Sequence, residues 1–220
     1  MNDAELKNMW KAYNQKMDEA SILNLQACVL NSKTFEYLQT HKAKSKLSSL
    51  SAIKKWAVAA GILWLLFLGM LAYGNHFQNV YFSISVLMLM LFSITAIAVY
   101  IKQIVLINRI NYRESVVDVQ KKITALQIST IHIVRILWLQ IPFYTTFFWS
   151  AKWISSDNTF WLTSFPVTIF FTFLAIWLYR NISLKNADKK WFKILLNTEW
   201  TSISKAKAYL DEIEEFKNDQ

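Results

Sequence analysis

Glycine and proline are nearly absent from this sequence, at three and two residues in 220. Tight turns, sheet corners and Gly-rich phosphate loops all draw on these residues, so an all-β domain and a phosphate-loop enzyme are poorly supplied. Cysteine is rarer still. Cys28 stands alone, which rules out an intrachain disulfide and a Cys-based metal site; a cytoplasmic position would suit it as a reduced, small packing residue. No HExxH, CxxC or GxSxG pattern occurs. The three histidines, His41, His76 and His132, fall in three separate regions of the topology below and cannot converge on a metal. Neither enzyme chemistry nor a cofactor is expected.

What is abundant is apolar and aromatic. The chain is 54% apolar and 15% aromatic, with ten Trp, and its charges are clustered rather than spread. That composition excludes disorder, collagen and a disulfide scaffold. Residues 56–74 and 80–101 are 19 and 22 residues without a charge; 131–150 is 20 residues with one, Arg135, and 160–179 is 20 with none. A helix rising about 1.5 Å per residue needs roughly 20 apolar residues to cross about 30 Å of hydrocarbon. The expected fold is therefore all-α: an integral-membrane four-helix bundle with helical cytoplasmic extensions.

Charge placement sets the orientation. Residues 1–55, 102–130 and 180–220 hold nine, five and eight Lys+Arg, whereas 75–79 and 151–159 hold only Lys152. Basic residues close to spans are retained on the cytoplasmic side, which places both termini and the middle hairpin 102–130 there. Trp56, Tyr73, Tyr100, Trp149, Trp153, Trp161, Trp177 and Tyr179 lie near the proposed interfaces, where amphipathic rings are favoured. The opening 55 residues are too polar and too long for a signal peptide, so the first span reads as an uncleaved signal-anchor. The two external connections are too short to build a receptor domain.

The cytoplasmic parts carry helical stripes. Asn2 and Glu5 form a cap-like pair, followed by Leu6, Trp10, Tyr13, Met17 and Ala20 at 4-3-4-3 spacing. A less regular helix follows over 21–37, and 40–51 has few apolar residues, which suggests a hinge or a solvated helix face. In the middle region the second span is expected to continue to about Asn111 and to break near Arg113. Ser115 and Asp118 then cap a helix bearing Val116, Val119, Ile123, Leu126 and Thr130. The tail repeats the pattern with Ile203, Ala206, Leu210 and Ile213 before Asp211, Glu212, Glu214 and Glu215. No stripe lasts three heptads, so these helices should pack on one another as a small bundle, or on a partner.

Four features invite function. Arg135, one turn inside the third span, is expected to snorkel to the headgroups. Pro142 and Pro166 should kink the third and fourth spans, with Gln140, Thr145, Thr146 and Thr163 able to satisfy the freed groups. Lys42, Lys44, Lys46, Lys54 and Lys55 precede the first span, and Arg180, Lys185, Lys189, Lys190 and Lys193 follow the last. These clusters attract anionic lipid, with Lys54, Lys55, Arg135 and Arg180 at headgroup depth. Nucleic acid is not expected, because every basic cluster abuts a span. The fourth feature is a docking surface made by Leu6, Trp10, Tyr13 and Met17 together with Ile203, Leu210, Ile213 and Phe216.

The segments ELKNMWKAYNQKM, NYRESVVDVQKKI, IPFY, AIWLYRNIS and YLDEIEEFKND resemble a family of bacterial inner-membrane proteins with four spans, a helical cytoplasmic N-terminus and an acidic-amphipathic tail. The resemblance touches most of the chain. It implies a place in the bacterial inner membrane. Because members are often encoded beside an extracytoplasmic-function sigma factor, it also implies a regulatory role. The family defines no functional residues, and this chain lacks the Cys/His zinc motif of some anti-sigma domains. Two functions are consistent with these observations. One is a non-enzymatic scaffold or regulator whose cytoplasmic helices bind a protein partner or a second copy. The other is an oligomeric pore or transport component using the third and fourth spans.

Overall fold

No glycine or proline precedes Gly61, and nothing interrupts the first helix. In the computed structural model α1 runs unbroken over Asp3–Gly74, about 110 Å at 1.5 Å per residue. The structure describes residues 3–75, 78–112, 114–156, 158–187 and 189–218; the side chains of 3–6, 116, 156, 193, 197, 198, 217 and 218 are outside that description. Helix α2 spans Val80–Asn108 and α3 Val116–Trp138, with the short α4 at Ile141–Thr146 and α5 at Ala151–Ser156. A π-turn at Phe160–Ser164 leads into α6, Phe165–Asn181; α7 and α8 are Lys190–Leu195 and Asn197–Asn218. Among the described residues there is no strand. Four helical stretches, in α1, α2, α3–α4 and α6, are long and apolar enough to cross a membrane, which marks the chain as a membrane protein.

The helices form two stacked layers. In the apolar layer α1, α2 and α4 pack around Leu68, Val86 and Leu89, closed by Phe82, Phe143 and Phe147, and α6 packs on α3 and α4. Few side chains of these helices are fully buried, and many are exposed as lipid-facing positions are: Met70 is 75% and Phe173 70% exposed. Trp56 and Tyr73, also exposed, flank the apolar part of α1 at its two ends.

In the polar layer α8 takes the fourth place. It lies antiparallel to α1: Phe35 meets Phe216 with ring centroids 4.7 Å apart, and Gln39 Nε2 donates to Glu212 at 2.5 Å. Further along, Lys42 lies over the Tyr209 ring and Lys54 meets Glu199. The core of this layer is Ala43, Leu47 and Leu50 of α1, Ile107 of α2, Val119, Ile123 and Leu126 of α3, and Ile203, Ala206, Leu210 and Ile213 of α8. Each large side chain fully buried there contributes roughly 1.5–3 kcal/mol. Residues 40–51 are thus continuous helix and no hinge, with His41, Lys42, Lys44, Ser45, Ser48 and Ser49 on an exposed face. Their few apolar residues sit on the core stripe.

The breaks have local causes. Arg113 lies outside the described residues, but α2 ends at Asn108, earlier than expected, and Ser115 caps α3 by accepting from the Asp118 amide. Pro142 cannot donate to the carbonyl of Trp138, so α3 stops there. The amides of Leu139 and Gln140 turn back to the carbonyls of Ile136 and Leu137, and α4 restarts with Pro142 in its first turn. Thr146 then bonds Ser85 of α2 at 2.9 Å across the helix interface. Before Pro166 the helix widens into the π-turn instead of breaking.

Candidate interaction surfaces

Two regions stand out: the free end of α1, and the belt where the two layers meet. Helix α8 reaches along α1 only as far as Phe35. The 32 residues of α1 before that point would extend about 48 Å, and every described side chain from 7 to 31 is exposed. The arm contains Lys, Glu, Gln, Ala, Leu and Met with no helix breaker, and it grows from a helix already nucleated in the bundle. Trp10, Tyr13 and Met17 are 64%, 63% and 57% exposed on it. The Asn2 cap and the Leu6 side chain lie outside the described residues. Cys28 is a free thiol exposed on the same arm, not the small packing residue expected.

The tail half of the expected docking surface is not available. Ile203, Leu210 and Ile213 are at most 3% exposed, turned into the bundle by the apolar stripes of α1 and α3 that they complete. Phe216 is half-buried against Phe35. The structure therefore separates the two groups: the tail closes the core, and the arm stands clear of it.

At the belt, Lys54 overturns its assignment to the headgroups. It is fully buried, its Nζ 2.7 Å from Glu199 Oε2 and 4.6 Å from the centroid of the Tyr100 ring. Tyr100 thereby serves as a lid on a cation rather than as an interface ring. Burial pushes the Lys54 ammonium below its usual range, while the Glu199 charge and hydrogen bond oppose that shift. Sequence reasoning missed the pair, yet a signal existed. Lys54 continues the stripe Ala43, Leu47, Leu50 at core spacing, and Glu199 precedes Ile203 by four on the stripe of α8. Ser51, Gln103, Gln127 and Thr130 are buried within five residues of a span boundary too, and Gln103 donates to Ser129. The belt is a polar layer in which apolar packing changes over to lipid.

The other basic residues divide. Arg135 is half-buried and its Nε donates to the Ile182 carbonyl, clamping α3 to the chain leaving α6; a cation is favourable at that helix end. Lys55 and Arg180 are exposed. His41 and His132 lie apart on different helices, and His76 is outside the described residues. Among the described residues no three His, Cys, Asp or Glu side chains gather. Comparison with known proteins returned no match to a family model, a curated protein or a solved structure.

Proposed function

We propose that the protein is a non-enzymatic membrane-anchored scaffold or regulator, and that the free arm of α1 is the element its protein partner grips. One observation carries the reading. The bundle satisfies its own apolar stripes, whereas the arm leaves Trp10, Tyr13 and Met17 in the open on a helix joined without a break to a span. Holding such side chains out of water elsewhere would be favourable by roughly 1.5–3 kcal/mol each. The positive-inside pattern places the arm and the polar layer in the cytoplasm, and the family resemblance adds a bacterial inner membrane and a link to sigma-factor signalling. Packing of Phe82, Phe143 and Phe147 around the broken α3–α4 segment supports an anchor more than a pore.

Affinity purification from native membranes tests this. Trp10→Ala with Tyr13→Ala abolishes partner recovery while the spans still insert, and wild-type protein in liposomes conducts no ions. Conduction by the wild type, with partner recovery and conduction both unaffected by the double substitution, would replace this reading with the pore. Orientation is checked in a Cys28→Ser background: Gln78→Cys and Ser155→Cys react with an impermeant thiol reagent in spheroplasts, and Ser45→Cys and Ser115→Cys do not.

A further inference from the structure

Residues Tyr37, His41, Lys44, Ser48, Ser51 and Lys55 recur at 4-3-4-3-4 spacing and so form one stripe of α1. It faces the turn joining α2 to α3, where Asn108, Ile110 and Tyr112 stand opposite without filling the gap. Two adjoining clefts result, of about 680 and 290 Å³, sharing Lys44, Asn108, Ile110 and Tyr112 as walls.

The smaller cleft has the features of a site. Ser51, in its lining, is only 5% exposed, yet its hydroxyl has no hydrogen-bond partner. Buried serines elsewhere in the chain bond back to the preceding turn, as Ser85 does to the Tyr81 carbonyl and Ser93 to Leu89. An orphaned buried hydroxyl is unfavourable; its oxygen is closed off from the cleft as it stands, and rotation about χ1 would bring it to an acceptor there. Lys44 and Lys55 flank it one turn or more to either side, with Ser48 between, and no carboxylate contributes to the lining of this cleft. Three carbonyls at the end of α2 are already engaged: those of Val105, Leu106 and Ile107 accept from the amides of Arg109 and Ile110. Lys55 immediately precedes Trp56, where the apolar run begins, so the cleft lies at headgroup depth.

We propose that this cleft binds a phosphoryl anion, with Lys44 and Lys55 balancing its charge and the Ser48 and Ser51 hydroxyls donating to its oxygens. Lys54, committed to Glu199 on the core side of α1, takes no part. The anion comes either from a phospholipid headgroup of the adjoining leaflet or from a soluble phosphate.

Native mass spectrometry of protein in neutral detergent, offered phosphatidylglycerol or phosphatidylcholine, tests the site. Wild type retains phosphatidylglycerol preferentially. Lys44→Gln with Lys55→Gln loses that preference. Ser51→Ala weakens retention about tenfold, the scale of a hydrogen bond to a charged group. The melting temperature of Ser51→Ala stays level or rises because an orphan hydroxyl is gone, which separates lost binding from lost folding. Lys11→Gln with Lys16→Gln, removing two exposed charges on the arm far from the cleft, leaves retention unchanged. Displacement of the lipid by inorganic phosphate assigns the soluble source; retention against it assigns the lipid. Equal retention in all variants, or equal loss in the Lys11/Lys16 control, overturns the proposal.

Discussion

Removing Glu199 should be far more damaging than removing Lys54, although the two form one ion pair. Lys54 is fully buried and its side chain has no route to water, whereas the Glu199 side chain is 21% exposed. Glu199→Leu strands an ammonium whose one remaining neighbour of note is the Tyr100 ring. Breaking a buried pair in this way is destabilising by about 3–5 kcal/mol. Lys54→Met leaves a carboxylate that can rehydrate, and the loss should be about 1–3 kcal/mol. Replacing both removes the desolvated charges altogether and should return stability to within about 1 kcal/mol of wild type. Unfolding in lipid-detergent micelles, followed by the 19F resonance of fluorotryptophan at buried Trp200 beside Phe192, resolves the departure of α8 from the other nine tryptophans. The pH dependence has a defined sign. Burial lowers the Lys54 pKa from 10.5, so the unfolded chain binds the proton more tightly, and stability rises as pH climbs from the folded value toward 10.5. Lys54→Met removes that rise. Additive losses, or a loss below about 1 kcal/mol for Glu199→Leu, which is the value of a solvated surface pair, would refute a desolvated Lys54.

Three further outcomes follow from local geometry. Burial pushes the Tyr112 hydroxyl up from 10.0 to about 12, so the unfolded chain releases that proton first; stability should fall between pH 10 and 12, and Tyr112→Phe should flatten the fall. Ser115→Ala removes the side-chain cap of α3 and should reduce stability by about 1 kcal/mol, with faster hydrogen exchange at residues 117–120. A Cβ on Gly61 would meet Ile97 Cγ1 at 3.1 Å, whereas one on Gly69 meets nothing within 4 Å. Gly61→Leu should therefore splay α1 from α2 and lower the melting temperature, while Gly69→Ala leaves it level or raises it.

The four spans were legible because an uncharged run of about 20 residues has few other uses. Stripes were legible as well, and Val119, Ile123 and Leu126 are core residues at the spacing read for them. An amphipathic stripe does not say what covers it. The stripe of Ile203, Leu210 and Ile213 is covered in cis, and the similar one at Trp10, Tyr13 and Met17 is not; only the antiparallel register of α8 on α1, ending at Phe35, distinguishes them.

Charge misled where it lay on a core register. Lys54 and Lys55 are adjacent in sequence, but about 100° apart around a helix, so one is buried and the other exposed. The continuity of α1 through 40–51 was obscured for a related reason. Three apolar residues, Ala43, Leu47 and Leu50, suffice when each falls on the face that α3 and α8 cover. The prolines announced interruptions without their form: a break at Pro142 and a π-turn ahead of Pro166.

The most direct test of the docking arm uses the single cysteine. Cys28 lies exposed on the arm, so a benzophenone maleimide attaches to one known site in otherwise native protein. Irradiation in native membranes should yield an adduct with a second polypeptide, and Trp10→Ala with Tyr13→Ala should remove it. Adducts confined to lipid or to the chain's own α8, unchanged by the double substitution, would contradict an arm that stands free to receive a partner.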